Sequence, residues 1–148
     1  MDSRIPDFMQ YCALVYVMRR RYVLTAIDDI KNVACGVIGG VSRLAPLSDE
    51  GRYNIALILN ELLVNSFEHA RPTPRYPVFV RAEYSGGRLR IGVTDGGAGF
   101  VHTQPGKDTD DPDALLNERG RGLKLVRALC SDIRYNDSGN SVEVSIAL

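Results

Sequence analysis

The stretch around "ALILNELLVNSFEHA", residues 56–70, restricts the fold more than any other part of the chain. It continues a helix that opens near residue 49. Ser48 is placed to cap the N-terminus, and Asp49 and Glu50 fall in the first turn, where the helix dipole favours acids. "RPTP" ends the helix at 71–74. An apolar helix of this length demands burial on most of its faces. Yet Glu61 and Asn65 stand inside its apolar run. Four residues turn a helix by about 400°, so the two side chains lie about 40° apart on one face and ~6 Å apart along the axis. They are too central to be stray solvent contacts and too unlike to be an ion pair.

The remaining segments supply the partners such a helix needs. "RYVLTA" (21–26) reads as a strand. Ile27, Ile30, Val33, Ala34, Val37, Ile38 and Val41 recur at helical steps, and Pro46 closes that run. "YPVFVRAEY" and "RLRIGVT" alternate as strands, joined by the short turn "SGG" at 85–87. Residues 101–118 are polar and rich in Asp, Pro and Gly, a long irregular segment of the kind that is usually functional. "GRGLKLVRALCSD" becomes helical after its glycines, and "IRYND", "SGN" and "SVEVSIAL" form a closing hairpin. The order β-α-α-β-β-loop-α-β-β, with helices against a largely antiparallel sheet, gives an α+β two-layer sandwich.

Composition excludes several functions. Lys+Arg and Asp+Glu both number 18 in 148 residues, so the chain is formally neutral, which argues against nucleic-acid binding by bulk electrostatics. No apolar run reaches the ~18 residues of a membrane span, and the N-terminus lacks a signal-peptide pattern. Cys12, Cys35 and Cys130 are scattered and odd in number, consistent with buried thiols in a reducing cytoplasm. His69 and His102 have no partner at metal-ligand spacing, and His69 reads as a structural histidine at a helix end.

Two glycine clusters carry the chemistry. Asp95-Gly96-Gly97-Ala98-Gly99 follows a strand directly, and Gly120-Arg121-Gly122 opens a helix. No GxxxxGK[ST] occurs and neither cluster completes GxGxxG, so the chain carries neither a P-loop nor a Rossmann fingerprint. ExxxN on a helix, then DxGxG after a strand, then GxG at a helix start, in that order, resembles the three boxes of the GHKL ATPases, the superfamily of gyrase, mismatch-repair, chaperone and histidine-kinase ATP domains. The resemblance covers roughly residues 21–148. The "ERGRGLKLVRAL" ending is most similar to the small bacterial anti-sigma-factor serine/threonine kinases. It implies a Bergerat (histidine-kinase-like ATPase) fold with a mixed, mostly antiparallel sheet, preceded by an N-terminal extension over residues 1–20.

The resemblance also implies roles. Asn65 would offer its amide oxygen to Mg²⁺, and Glu61 would be the general base, so the polar stripe of the long helix, continued by Asn54 and Glu68, would line the nucleotide cavity. Asp95 would accept a hydrogen bond from the adenine amino group of ATP; Gly97 would let the backbone approach the base, and Gly99 would hinge the next segment. Residues 101–119 would be the ATP lid, with Lys107 in it. Gly120 and Gly122 would present backbone amides to the phosphates, with Arg119, Arg121 and Lys124 adding charge; Ser141 would join a water network at the adenine.

A protein serine/threonine kinase of the anti-sigma type would have a sigma factor and an anti-anti-sigma (STAS-type) protein as partners, often works as a homodimer, and needs neither direct nucleic-acid contact nor a membrane. A catalytically silent ATP-binding switch module is the alternative. A histidine-kinase catalytic domain ranks below both, because the chain leaves little room for a dimerisation and phospho-accepting helix pair. Residues 1–20, apolar and basic together, depart from the small kinases and leave the dimer arrangement open.

Overall fold

The computed structural model describes residues 17–97 and 118–148, the side chains of 118–121 excepted. Five strands form one sheet: β1 (Met18–Leu24), β2 (Val78–Ser85), β3 (Arg88–Thr94), β4 (Asp132–Tyr135) and β5 (Ser141–Ala147), in the spatial order β1-β2-β3-β5-β4. Every pairing among them is antiparallel. Helices α1 (Ile30–Ser42), α2 (Asp49–Ala70) and α3 (Glu118–Leu129) cover one face, and a 3-10 turn at Ile27–Asp29 leads into α1. This is the expected α+β two-layer sandwich.

Helix α2 is built as its local signals predict. Ser48 accepts a hydrogen bond from the Gly51 amide at 3.0 Å, and the helix ends where Arg71 turns left-handed at φ 46°. Ile55, Ile58, Leu59, Leu62, Leu63 and Ser66 form its buried stripe, against the sheet and the other two helices. Each large apolar side chain in that stripe stabilises the fold by about 1.5–3 kcal/mol relative to exposure. In α1, glycines permit close approach to β1: a Cβ on Gly36 would meet the Tyr22 hydroxyl, and one on Gly40 the Met18 sulfur.

Strand β1 starts at Met18, three residues before the expected 21–26 segment, and so takes in Arg19 and Arg20. Arg19 and Arg21 point to the sheet face away from the helices, where charge is solvated. An edge strand tolerates such residues well. The β2–β3 hairpin turns at Gly86 and Gly87, both with positive φ (58° and 75°), as a two-residue hairpin turn requires. Helix α3 begins at Glu118 rather than at Gly120.

Candidate functional site

Between α2, α3 and the ends of β3 and β5 lies a cleft with about 350 Å³ of empty volume. Helix α2 contributes Leu62, Asn65, Ser66 and His69; β3 contributes Val93 and Asp95 just beyond it; α3 contributes Leu123. The closing hairpin supplies Tyr135, Gly139, Asn140, Ser141 and Val142. Apolar residues make the floor, and a few amides, hydroxyls and one carboxylate make the polar rim. This is the composition of a small-molecule pocket that holds a flat, mostly apolar group and orients it by a few hydrogen bonds.

The three glycine- and asparagine-bearing segments converge here. Asp95 accepts a hydrogen bond through Oδ1 from the Gly97 amide at 2.9 Å, which fixes the carboxylate's orientation at the cleft. The Asp95 backbone is pinned from the other side: its N–H donates to the Asn140 carbonyl at 2.9 Å, and the Asn140 side-chain amide donates to the Asp95 carbonyl at 3.1 Å. Gly97 lies against the last residue of α2, since a Cβ there would stand 3.3 Å from the Ala70 Cα. Close packing on the helix end, as much as approach of a ligand, thus calls for glycine at 97. On the opposite wall, a Cβ on Gly122 would collide with the Glu61 carboxylate. The Glu61 side chain therefore rests on the Cα of Gly122, one helical turn from Asn65.

Other expected residues are placed as follows. Ser141 lines the cleft and shares a 2.8 Å hydrogen bond with Thr94 across the β3–β5 pair. Lys124 is exposed, and its neighbour Leu123 faces the cleft instead. Gly120 and Arg121 lie in the first turn of α3; the N–H groups of that turn without a partner inside the helix include Gly120 and end before Gly122. His69 lies in the last turn of α2, exposed, and borders the cleft. Gly99, His102, Lys107 and the expected lid up to residue 117 lie outside the described residues, as does Cys12.

Sequence reasoning missed Tyr135, Asn140 and Ser66. Burial pushes the Tyr135 phenol above its ordinary pKa, with the Arg127 guanidinium opposing the shift. Ser66 is buried on the cleft side of α2. Its signal was its place beside Asn65 in the polar stripe. No helix among the described residues is long and apolar enough to cross a membrane.

A family described as the histidine kinase-like ATPase domain matches residues 26–146. The chain belongs to that family. No curated protein matches the chain. Membership in the histidine kinase-like ATPase family shows the GHKL relationship and implies ATP binding. The match runs from just after β1 through β5, so it contains every segment that walls the cleft.

The donor set around the cleft also bears on a cation. Among the described residues, no group of three or more His, Cys, Asp and Glu is arranged to hold a metal ion. Among the described side chains lining the cleft, the oxygen donors apart from the Asp95 carboxylate are uncharged amides and hydroxyls: Asn65 and Ser66 on α2, and Tyr135, Asn140 and Ser141 on the closing hairpin. Such a set fits a hard cation that keeps most of its water and takes its remaining ligands from phosphate oxygens.

Proposed function

We propose that this chain is an ATP-dependent protein serine/threonine kinase of the anti-sigma-factor type. It would phosphorylate an anti-anti-sigma (STAS-type) protein and sequester a sigma factor. The observation that carries the reading is the position of Glu61. Its carboxylate lies against Gly122 on the wall between α2 and α3, one turn from Asn65 and beside the first turn of α3. A carboxylate held there is near the phosphate end of a nucleotide whose base occupies the apolar floor.

The reaction follows from that placement. Asp95, oriented by the Gly97 amide, accepts a hydrogen bond from the adenine amino group; a keto oxygen at the same position, as in guanine, would face a carboxylate that cannot donate. The partnerless N–H groups at the start of α3 bind phosphate oxygens. Asn65 would hold Mg²⁺, which when bound would neutralise phosphate charge. Glu61 accepts the proton of the incoming serine or threonine hydroxyl as its oxygen bonds to the γ-phosphorus. The bond from that phosphorus to the β–γ bridging oxygen breaks, and ADP leaves. Most of the catalysis is positioning and charge neutralisation.

The test is transfer of labelled γ-phosphate from ATP to a STAS-type protein bearing a serine. Wild type should transfer, and Glu61→Ala should bind ATP with unchanged affinity but transfer about 10²–10⁴-fold more slowly. Tight ATP binding by wild type without transfer to any such partner would replace this reading with that of a silent nucleotide switch.

A further inference from the structure

The second face of the sheet carries no helix among the described residues, and its side chains are ordered in cross-strand rows. One row runs Arg19–Glu83–Arg90, the next Arg21–Arg81–Gly92–Glu143–Arg134, and the next Val23–Phe79–Thr94–Ser141. Arg88 and Val17 lie at the far end. Two hollows open on this face. One is lined by Arg21, Val23, Phe79, Gly92 and Glu143, the other by Val17, Arg19, Ser85 and Arg88.

Charge on this face is unbalanced although the whole chain is neutral. Among the described residues, six arginines (Arg19, Arg21, Arg81, Arg88, Arg90 and Arg134) meet three acids. Each acid is already engaged: Glu83 with Arg90 at 3.2 Å and Arg19 at 3.7 Å, Glu143 with Arg81 at 3.0 Å, and Asp132 with Arg134 at 2.8 Å. The Arg81–Glu143 pair spans β3 across Gly92, the strand residue between them in register. Arg21 and Arg88 have no ion pair among the described residues. Beside Arg21, Val23 is 62% and Phe79 52% exposed; Arg88 lies about 20 Å further along the strands, next to Val17, which is 44% exposed. Basic side chains flanking exposed apolar ones on an open sheet make a surface that needs an amphipathic, acidic cover.

We propose that this face docks an acidic amphipathic helix of a partner protein, with apolar side chains over Val23 and Phe79 and carboxylates on Arg21 and Arg88. A helix is the usual cover for a sheet face. Strands of seven or eight residues span ~23–27 Å, which an 18-residue helix matches at ~27 Å. A second copy of this chain is the poorer occupant, since it would place two surfaces with an arginine surplus against each other.

The experiment uses the full chain and a fluorescent 18-residue helical peptide with leucines along one stripe and glutamates on both flanks. A control peptide carries lysines for the glutamates. The acidic peptide should bind, the lysine peptide should not, and raising salt from 50 to 500 mM should weaken binding about tenfold. The double variant Arg21→Glu/Arg88→Glu and the single variant Phe79→Ser should each lose at least about tenfold in affinity while binding ATP as wild type does. Failure of the acidic peptide to bind at millimolar concentration, equal binding of both peptides, or indifference to these variants would overturn the proposal. So would sedimentation of wild type as a dimer that Phe79→Ser dissociates, which would assign the face to a second copy.

Discussion

Gly122→Ala separates stability from catalysis. An ideal Cβ at residue 122 stands 3.2 Å from the Glu61 carboxylate carbon and overlaps its Oε2. Ordinary contact needs 3.4–4 Å, so the carboxylate tip has to move. The obstructing atom is the end of a flexible side chain, and it swings aside at little cost. Residue 122 lies inside α3, where alanine is favoured over glycine by about 1 kcal/mol. The variant should therefore be as stable as wild type or more so, with a melting temperature raised by up to about 3 °C. The Glu61 carboxylate, however, is displaced on the order of 1 Å; if it is the proposed general base, that costs about 10²-fold in rate when alignment is demanding. ATP affinity should change by less than about threefold, because the N–H groups of the first turn of α3 and the Asp95 carboxylate are untouched. Steady-state ATP turnover with Mg²⁺, calorimetry of nucleotide binding and thermal unfolding together read all three quantities. Turnover within about threefold of wild type in a folded protein would refute the placement of Glu61 as base against α3.

Four further outcomes follow. Asp95→Asn should weaken ATP binding about 10–100-fold through loss of a charge-assisted hydrogen bond, measured by calorimetry. Glu61→Ala should retain ATP binding and lose about 10²–10⁴-fold in phosphoryl transfer to a partner serine. Ser48→Ala should cost about 1 kcal/mol in urea unfolding, since it leaves the Gly51 amide without its cap. The Cys130 thiol and the Tyr22 and Tyr135 phenols are raised above their ordinary values, chiefly by burial. Folding thus favours their protonated forms. That contribution is full below the ordinary thiol and phenol values and is lost as pH climbs through the raised ones, so urea midpoints should fall above about pH 9.

What was legible in the sequence was local. The bounds of α2 follow from Ser48 at one end and "RPTP" at the other, both of which act on adjacent backbone. The β3 strand and its two-glycine turn follow from alternation and positive-φ chemistry. The structure brings Asn65 and Asp95 to one cleft and sets the Glu61 carboxylate against Gly122, because each motif sits at the end or on the face of a regular element. The misses are tertiary. Asn140 reaches Asp95 only because β5 pairs with β3 so that Ser141 lies opposite Thr94, a register no local pattern encodes. Tyr135 enters the cleft through the β4–β5 pairing, opposite Val142. Lys124 was assigned from its proximity to glycines, but one residue is about 100° on a helix, and that rotation gives the cleft to Leu123. The start of β1 is hidden because "RRR" looks like a break: Arg19 and Arg21 fall on the uncovered sheet face, while Arg20 stays exposed on the edge strand although it is on the face that bears α1.

The central claim is that α2, the Asp95 loop and α3 wall a single adenine-nucleotide pocket. Titration of the isotopically labelled protein with Mg²⁺–ATP, followed by amide NMR shifts, tests it most directly. The amides of Asn65, Gly97, Gly122 and Asn140 should move together along one binding curve, and Mg²⁺–GTP at the same concentrations should leave Gly97 unmoved. Shifts confined to the open sheet face around Phe79 and Arg81, or equal responses to both nucleotides, would contradict it.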